Sequence, residues 1–71
     1  MNTALVASQV WLNELGIKTE GFPNCLKVSR DDIANLGEPT DALLASIKTA
    51  TNSNKLFWAN QDDNWLYLES F

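Results

Sequence analysis

The C-terminal stretch 55–69 constrains this chain more than any other part of it: KLFWA, then NQDDN, then WLYLE. Two apolar, aromatic-rich runs flank a polar turn without glycine, the pattern of an antiparallel β-hairpin. The stretch holds two of the three Trp, one of the three Phe and the only Tyr, so burial and binding energy concentrate there. Opposing Asn60 and Asn64 across Gln61-Asp62-Asp63 pairs Trp58 with Leu66 and Leu56 with Leu68 on one face. The other face then carries Ala59 with Trp65, Phe57 with Tyr67 and Lys55 with Glu69. Residues two apart share a face of a strand, and directly opposed residues make the cross-strand pair. A one-residue slip would set Leu56 against Glu69 and mix the faces. The leucine side is therefore the expected core face. Phe57, Trp65 and Tyr67 are then either covered by the N-terminal segment or exposed, and a contiguous exposed aromatic patch marks an interaction site.

Upstream, helical signals dominate. Asn2 or Thr3 can cap a run ALVASQVWLNEL that ends at Gly16, where a left-handed residue is wanted. A helix over 3–15 follows, with Leu5, Leu12 and Leu15 on one stripe and Val6, Val10 and Trp11 beside it. Residues 17–28 are irregular, because Gly21-Phe22-Pro23-Asn24 punctuates them. Cys25-Leu26-Lys27-Val28 offers a short strand for the hairpin edge. Ser29 caps a helix over 30–36, with Asp31 and Asp32 in the first turn, where the helix dipole favours negative charge. Adjacent helical residues point about 100° apart, so these two carboxylates do not converge on one atom. After Glu38-Pro39, Thr40 reads as the cap of a helix over 41–51 bearing Leu43, Leu44, Ile47 and Ala50. The expected core is Leu5, Val10, Leu12, Leu15, Ile33, Leu36, Leu43, Leu44, Ile47, Leu56, Trp58, Leu66 and Leu68.

Seventy-one residues make one small domain, near the lower size limit for folding without a disulfide or metal. The single Cys25 allows no internal disulfide and fits a reducing, cytoplasmic setting. The segment MNTALVAS has no basic residue ahead of its apolar ones and does not read as a secretory signal. Nine acidic against five basic residues give a net charge of −4, which disfavours a phosphate backbone or an anionic membrane as the main partner. The chain has no histidine, the commonest general base and metal ligand. With no phosphate-cradling glycine loop, no metal-ligand spacing and no serine beside a base, catalysis, a metal and a cofactor are not expected.

Helix, irregular stretch, short helix, tight turn, helix and hairpin make an α+β chain: three helices followed by a C-terminal antiparallel β-hairpin at 55–60 and 64–69. From VSRDDIANL through GEPT to the helix 41–51 and the hairpin, this order resembles the winged helix-turn-helix architecture, with the hairpin as the wing. A sterile-alpha-motif-like helical bundle is the alternative, on Trp11-Leu12, Leu15-Gly16, Asp32-Ile33 and Leu36-Gly37, and the hairpin argues against it. The winged-helix resemblance implies a recognition helix offering Asp41, Ser46, Lys48, Thr49 and Thr51, with no arginine to grip guanine. Asp62 and Asp63 at the wing tip would meet a phosphate strand as like charges. Protein contact is therefore favoured over DNA binding. Phe57, Trp65 and Tyr67 are the candidate contact residues, amphipathic and poor in rotamers as interface anchors are. Asp62 and Asp63 are the candidates for steering toward a basic partner. In size, acidity and lack of motifs the chain resembles small phage-encoded proteins that dock on bacterial RNA polymerase. That resemblance implies a stoichiometric regulator of transcription in the host cytoplasm. A DNA-binding regulator and a structural subunit of a larger assembly are the alternatives.

Overall fold

The computed structural model describes residues 2–71. The side-chain oxygen of Asn2 accepts the Leu5 N–H at 3.0 Å and opens α1 (Thr3–Glu14). The helix closes on a left-handed Gly16, φ +84°. The Gly16 N–H returns to the Asn13 carbonyl, and the Ile17 N–H to the Leu12 carbonyl. This is the paired C-terminal bonding that brings the residue after the glycine against the last turn; Ile17 and Leu12 are both buried.

Two short strands follow, β1 (Thr19–Gly21) and β2 (Leu26–Ser29), and the chain enters α2 (Arg30–Leu36) with Ser29 as N-cap. The Ser29 hydroxyl accepts the Asp32 N–H at 3.3 Å. The Asp32 carboxylate does not reach back to the cap; it accepts the backbone N–H of Lys18 at 2.8 Å and so ties the end of the first loop to α2. Gly37, φ +80°, ends α2. The third helix, α3 (Thr40–Thr51), starts one residue earlier than expected. Its N-cap is Pro39, without a side-chain bond, and Thr40 is the first helical residue instead of the cap. The hairpin strands are β3 (Leu56–Gln61) and β4 (Trp65–Ser70).

Among the described residues the protein is α+β, with three helices and one four-stranded antiparallel sheet in the order β1-β2-β4-β3. The expectation of helices followed by a lone hairpin is corrected here: β1 and β2 lie between α1 and α2. β2 pairs with β4 through Leu26–Leu68 and Val28–Leu66, so β4 is a central strand. The hairpin register differs too. Leu56 faces Ser70, Phe57 faces Glu69 and Trp58 faces Leu68, each two residues further along β4 than expected. A bulge at Ala59 then takes up one residue, and Asn60 faces Tyr67. A two-residue shift keeps every side chain before the bulge on its own face. Lys55 and Glu69 are not a cross-strand pair; the Lys55 carbonyl accepts the Phe71 N–H.

The core joins Leu5 and Leu12 of α1, Ile33 of α2, and Leu43 and Ile47 of α3 to Ile17 and to Leu26, Val28, Leu56, Leu66 and Leu68 of the sheet. Trp11, Leu44 and Trp58 pack against it while only partly buried, and the Trp58 indole N–H donates to the Thr40 carbonyl at 3.0 Å. Val10, Leu15 and Leu36, expected in the core, are 55, 44 and 40% exposed. Val10 points nearly opposite the Leu5–Leu12 stripe of α1, Leu15 is the C-cap beyond that helix, and Leu36 is the last residue of α2. Ile17, Leu26 and Val28 take their place. Leu68→Ala, at a fully buried central position, should cost about 2–5 kcal/mol, whereas Val10→Ala should stay within about 0.5 kcal/mol. Urea unfolding followed by far-UV circular dichroism measures both.

Candidate functional site

Alternation along β2, β3 and β4 turns Leu26, Val28, Leu56, Leu66 and Leu68 toward the helices. It turns Lys27, Phe57, Trp65, Tyr67 and Glu69 the other way. Among the described residues no helix joins this second side: α1, α2 and α3 put their buried residues into the leucine core. The aromatic residues are half-buried among one another and not sealed.

The structure brings three further residues to this face. Phe71 continues the two-residue spacing of 65, 67 and 69 beyond the expected strand end. It is 83% exposed and stacks on Phe57 with ring centroids 4.7 Å apart. Phe22 sits in the β1–β2 turn, closed by its N–H bond to the Cys25 carbonyl at 2.9 Å. Lys27 lies at the centre. Its ammonium nitrogen is 5.1 Å from the Phe22 ring centroid, 5.6 Å from that of Tyr67 and 5.8 Å from that of Trp65, within range for cation–π attraction. The alternation of Leu26, Lys27 and Val28 was the available signal for Lys27. For Phe22 no sequence pattern pointed to this face, because a turn residue has no period.

The acidic tip divides into two roles. One Asp62 carboxylate oxygen accepts the Asn64 and Trp65 N–H groups at 2.9 and 2.8 Å. The other accepts the Tyr67 hydroxyl at 2.7 Å. The side chain thus takes the Trp65 amide, leaving the main-chain carbonyl of Asp62 to accept the Arg30 guanidinium at 2.6 Å. The Arg30 N–H donates to the Asn64 carbonyl at 3.0 Å. The hairpin tip is fastened to the start of α2 by both bonds. Asp62 therefore fixes the tip and orients Tyr67, while Asp63 is exposed.

The helix surface that would face a DNA groove is differently committed. The hydroxyls of Ser46, Thr49 and Thr51 donate to the carbonyls of Ala42, Ala45 and Ile47, one turn back. A cleft of about 260 Å³ lies where α2 and α3 meet the sheet, over Ile33 and Leu66, with Arg30 and Glu38 on its rim. Among the described residues no group of His, Cys, Asp and Glu is placed to hold a metal ion, and no helix is long and apolar enough to cross a membrane.

The Tyr67 hydroxyl, followed by the Asn64 and Trp65 N–H groups and the charge of Lys27, holds the Asp62 carboxyl below its ordinary value of 3.8. The same hydrogen bond raises Tyr67 above 10.0. Stability linked to Asp62 is present above the unfolded carboxyl value and is lost as the pH falls through the lower folded value. Stability linked to Tyr67 is present below its unfolded value and is lost as the pH rises through the higher folded one. Asp62→Asn should therefore return the Tyr67 titration, read by ultraviolet difference spectroscopy, toward 10. An unchanged Tyr67 titration would mean that the bond does not persist in solution.

No protein-family model, no curated protein and no solved structure matches this chain.

Proposed function

We propose that the chain is a non-catalytic regulatory protein that docks through the outer face of its sheet onto a protein partner with a basic surface. The observation that carries this is the aromatic side of the sheet, where Phe22, Trp65 and Tyr67 gather around Lys27 and Phe57 stacks on Phe71, opposite the helices. Aromatic residues in one patch supply large contact area at small entropic cost, and such residues are the usual anchors of an interface. The rings already seat one cation, and a partner's Lys or Arg can stack on their free surfaces in the same way. Glu20, beside Lys27 in the sheet, Glu69 on the face and Asp63 at the tip add negative charge around it. A net charge of −4 steers the whole domain toward a basic patch.

The element order supports a finer reading. After Gly16, α2, the turn 37–39 and α3 stand where the winged helix-turn-helix has its two helices, and β3–β4 stands as the wing, with β1 an addition. Together with the small size and acidity, this points to the transcription machinery as the site of action. Bacterial RNA polymerase is the first partner to try, in the cytoplasm of a host cell. The same order favours a second reading, a DNA-binding regulator. The electrostatics weigh against it, since α3 has its hydroxyls bonded internally and the wing tip is acidic.

The test is titration of purified bacterial RNA polymerase and, separately, duplex DNA with the wild-type chain and with Trp65→Ala. Docking predicts saturable binding to polymerase that weakens with salt and falls roughly thirtyfold in Trp65→Ala, the loss of about 2 kcal/mol typical of an anchor. The unfolding midpoint of that variant should shift less than that of Trp58→Ala, whose ring touches the core. Binding to DNA alone would establish the second reading. Full affinity for polymerase in Trp65→Ala would remove the outer face from the interface.

A further inference from the structure

Within the core, Leu66 and Ile33 keep the most contact with solvent, at 5 and 3% exposure. Both lie in the cleft of about 260 Å³ between α2, α3 and the sheet, so the core opens to solvent there through an apolar floor. Ala34 and Pro39 extend that apolar surface along the cleft. Arg30, Ile33 and Ala34 are spaced three and four residues apart and share one face of α2. The cleft follows that face. Arg30 is the first residue of α2, and Glu38 comes just past the left-handed Gly37 that ends it. A positive and a negative side chain thus stand at opposite ends of an apolar trough. The seven residues of α2 between them rise about 10 Å. One Arg30 nitrogen donates to the Asp62 carbonyl at 2.6 Å. That acceptor is neutral, so the bond anchors the guanidinium and leaves its charge and remaining donors for an anion.

We propose that this cleft binds a short peptide with free ends and an apolar central residue. The peptide carboxylate pairs with Arg30, its ammonium pairs with Glu38, and its central side chain lies on Ile33 and Leu66. Three extended residues span about 10 Å, the length of α2 between the two charges. A free amino acid carries both charges on one carbon and cannot reach both ends. An apolar molecule without charges would leave Arg30 and Glu38 unused. The guanidinium fork receives a carboxylate through two parallel hydrogen bonds. Because Asp62 already holds Arg30, little further ordering is needed at that end. Glu38 is exposed, so its pairing is screened and the complex is weak and sensitive to salt. The cleft lies on the helical side of the sheet, away from Phe57, Trp65 and Tyr67. Binding there does not depend on docking at the outer face.

Methyl nuclear magnetic resonance of the isotope-labelled full chain, titrated with glycyl-leucyl-glycine, tests this. The Ile33 and Leu66 methyl signals should shift saturably, with a Kd of roughly 0.2 mM, the value for a ligand of this size at ordinary efficiency. Acetylating the peptide's amino end, or amidating its carboxyl end, should each weaken binding about twofold to fivefold. Triglycine should give no saturable shift. Glu38→Gln should bind the free peptide no better than the wild-type chain binds the acetylated one, and should no longer distinguish the two. Circular dichroism checks that this variant is folded; if it is not, the modified peptides decide alone. Trp65→Ala should leave the Kd unchanged, which keeps failure of the cleft distinct from failure of outer-face docking. No saturable shift at millimolar peptide overturns the proposal. So does equal affinity for triglycine or for either modified peptide, or a response at the Trp65 indole in place of the two methyls.

Discussion

β4 has a strand on each side, β2 and β3, and helices on one face. Its strict alternation, Trp65, Leu66, Tyr67, Leu68, Glu69, therefore divides the whole molecule. Leu66 and Leu68 are buried against Val28, Leu26 and the helical leucines. Trp65 and Tyr67 are forced to the opposite side, where three helices already committed to the core leave nothing to cover them. A small chain with one sheet and one helical layer can bury only one face of that sheet. Placing the larger rings on the other face gives up core volume, and an interaction surface is a physical reason for such a placement.

The hairpin tip shows how that surface is held. A polar turn without glycine would ordinarily be a loose end of the sheet. Here the Asp62 side chain takes two backbone N–H groups and the Tyr67 hydroxyl, and Arg30 takes the carbonyl that is left over. The start of α2, the turn and the ring of Tyr67 become one connected hydrogen-bonded unit. Such preorganisation reduces the ordering cost that a docking face would otherwise incur on binding.

Much of this was legible in the residues because period two is a strong signal. The division of the hairpin into a leucine face and an aromatic face survives a register error, since the actual register differs by two residues before the bulge. The bulge at Ala59 was not legible, because alanine gives no local sign of an extra residue. β2 could be read from CLKV, but β1 could not, because TEG has no apolar alternation and exists as a strand only through its pairing with β2. Ile17 was passed over because it follows the helix-ending glycine, yet that position is the one the helix terminus folds back onto Leu12. Val10, Leu15 and Leu36 went the other way. Val10 faces away from the side of α1 that Leu5, Ser8 and Leu12 bury, and Leu15 and Leu36 stand at the ends of their helices. Of the candidate site, Phe57, Trp65 and Tyr67 followed from alternation. The capture of Asp62 by its own turn did not, because it depends on the orientation of three backbone groups.

The central claim is that the helices cover the leucine face and leave the aromatic face free. Nuclear Overhauser contacts from the methyl groups of Leu5, Leu12, Leu43 and Ile47 in the isotope-labelled protein test it most directly. The account predicts contacts to Leu26, Val28, Leu56, Leu66 and Leu68 and none to the rings of Phe57, Trp65 or Tyr67. Contacts from the helical methyls to those rings would invert the sheet, place the aromatic residues in the core and contradict the account.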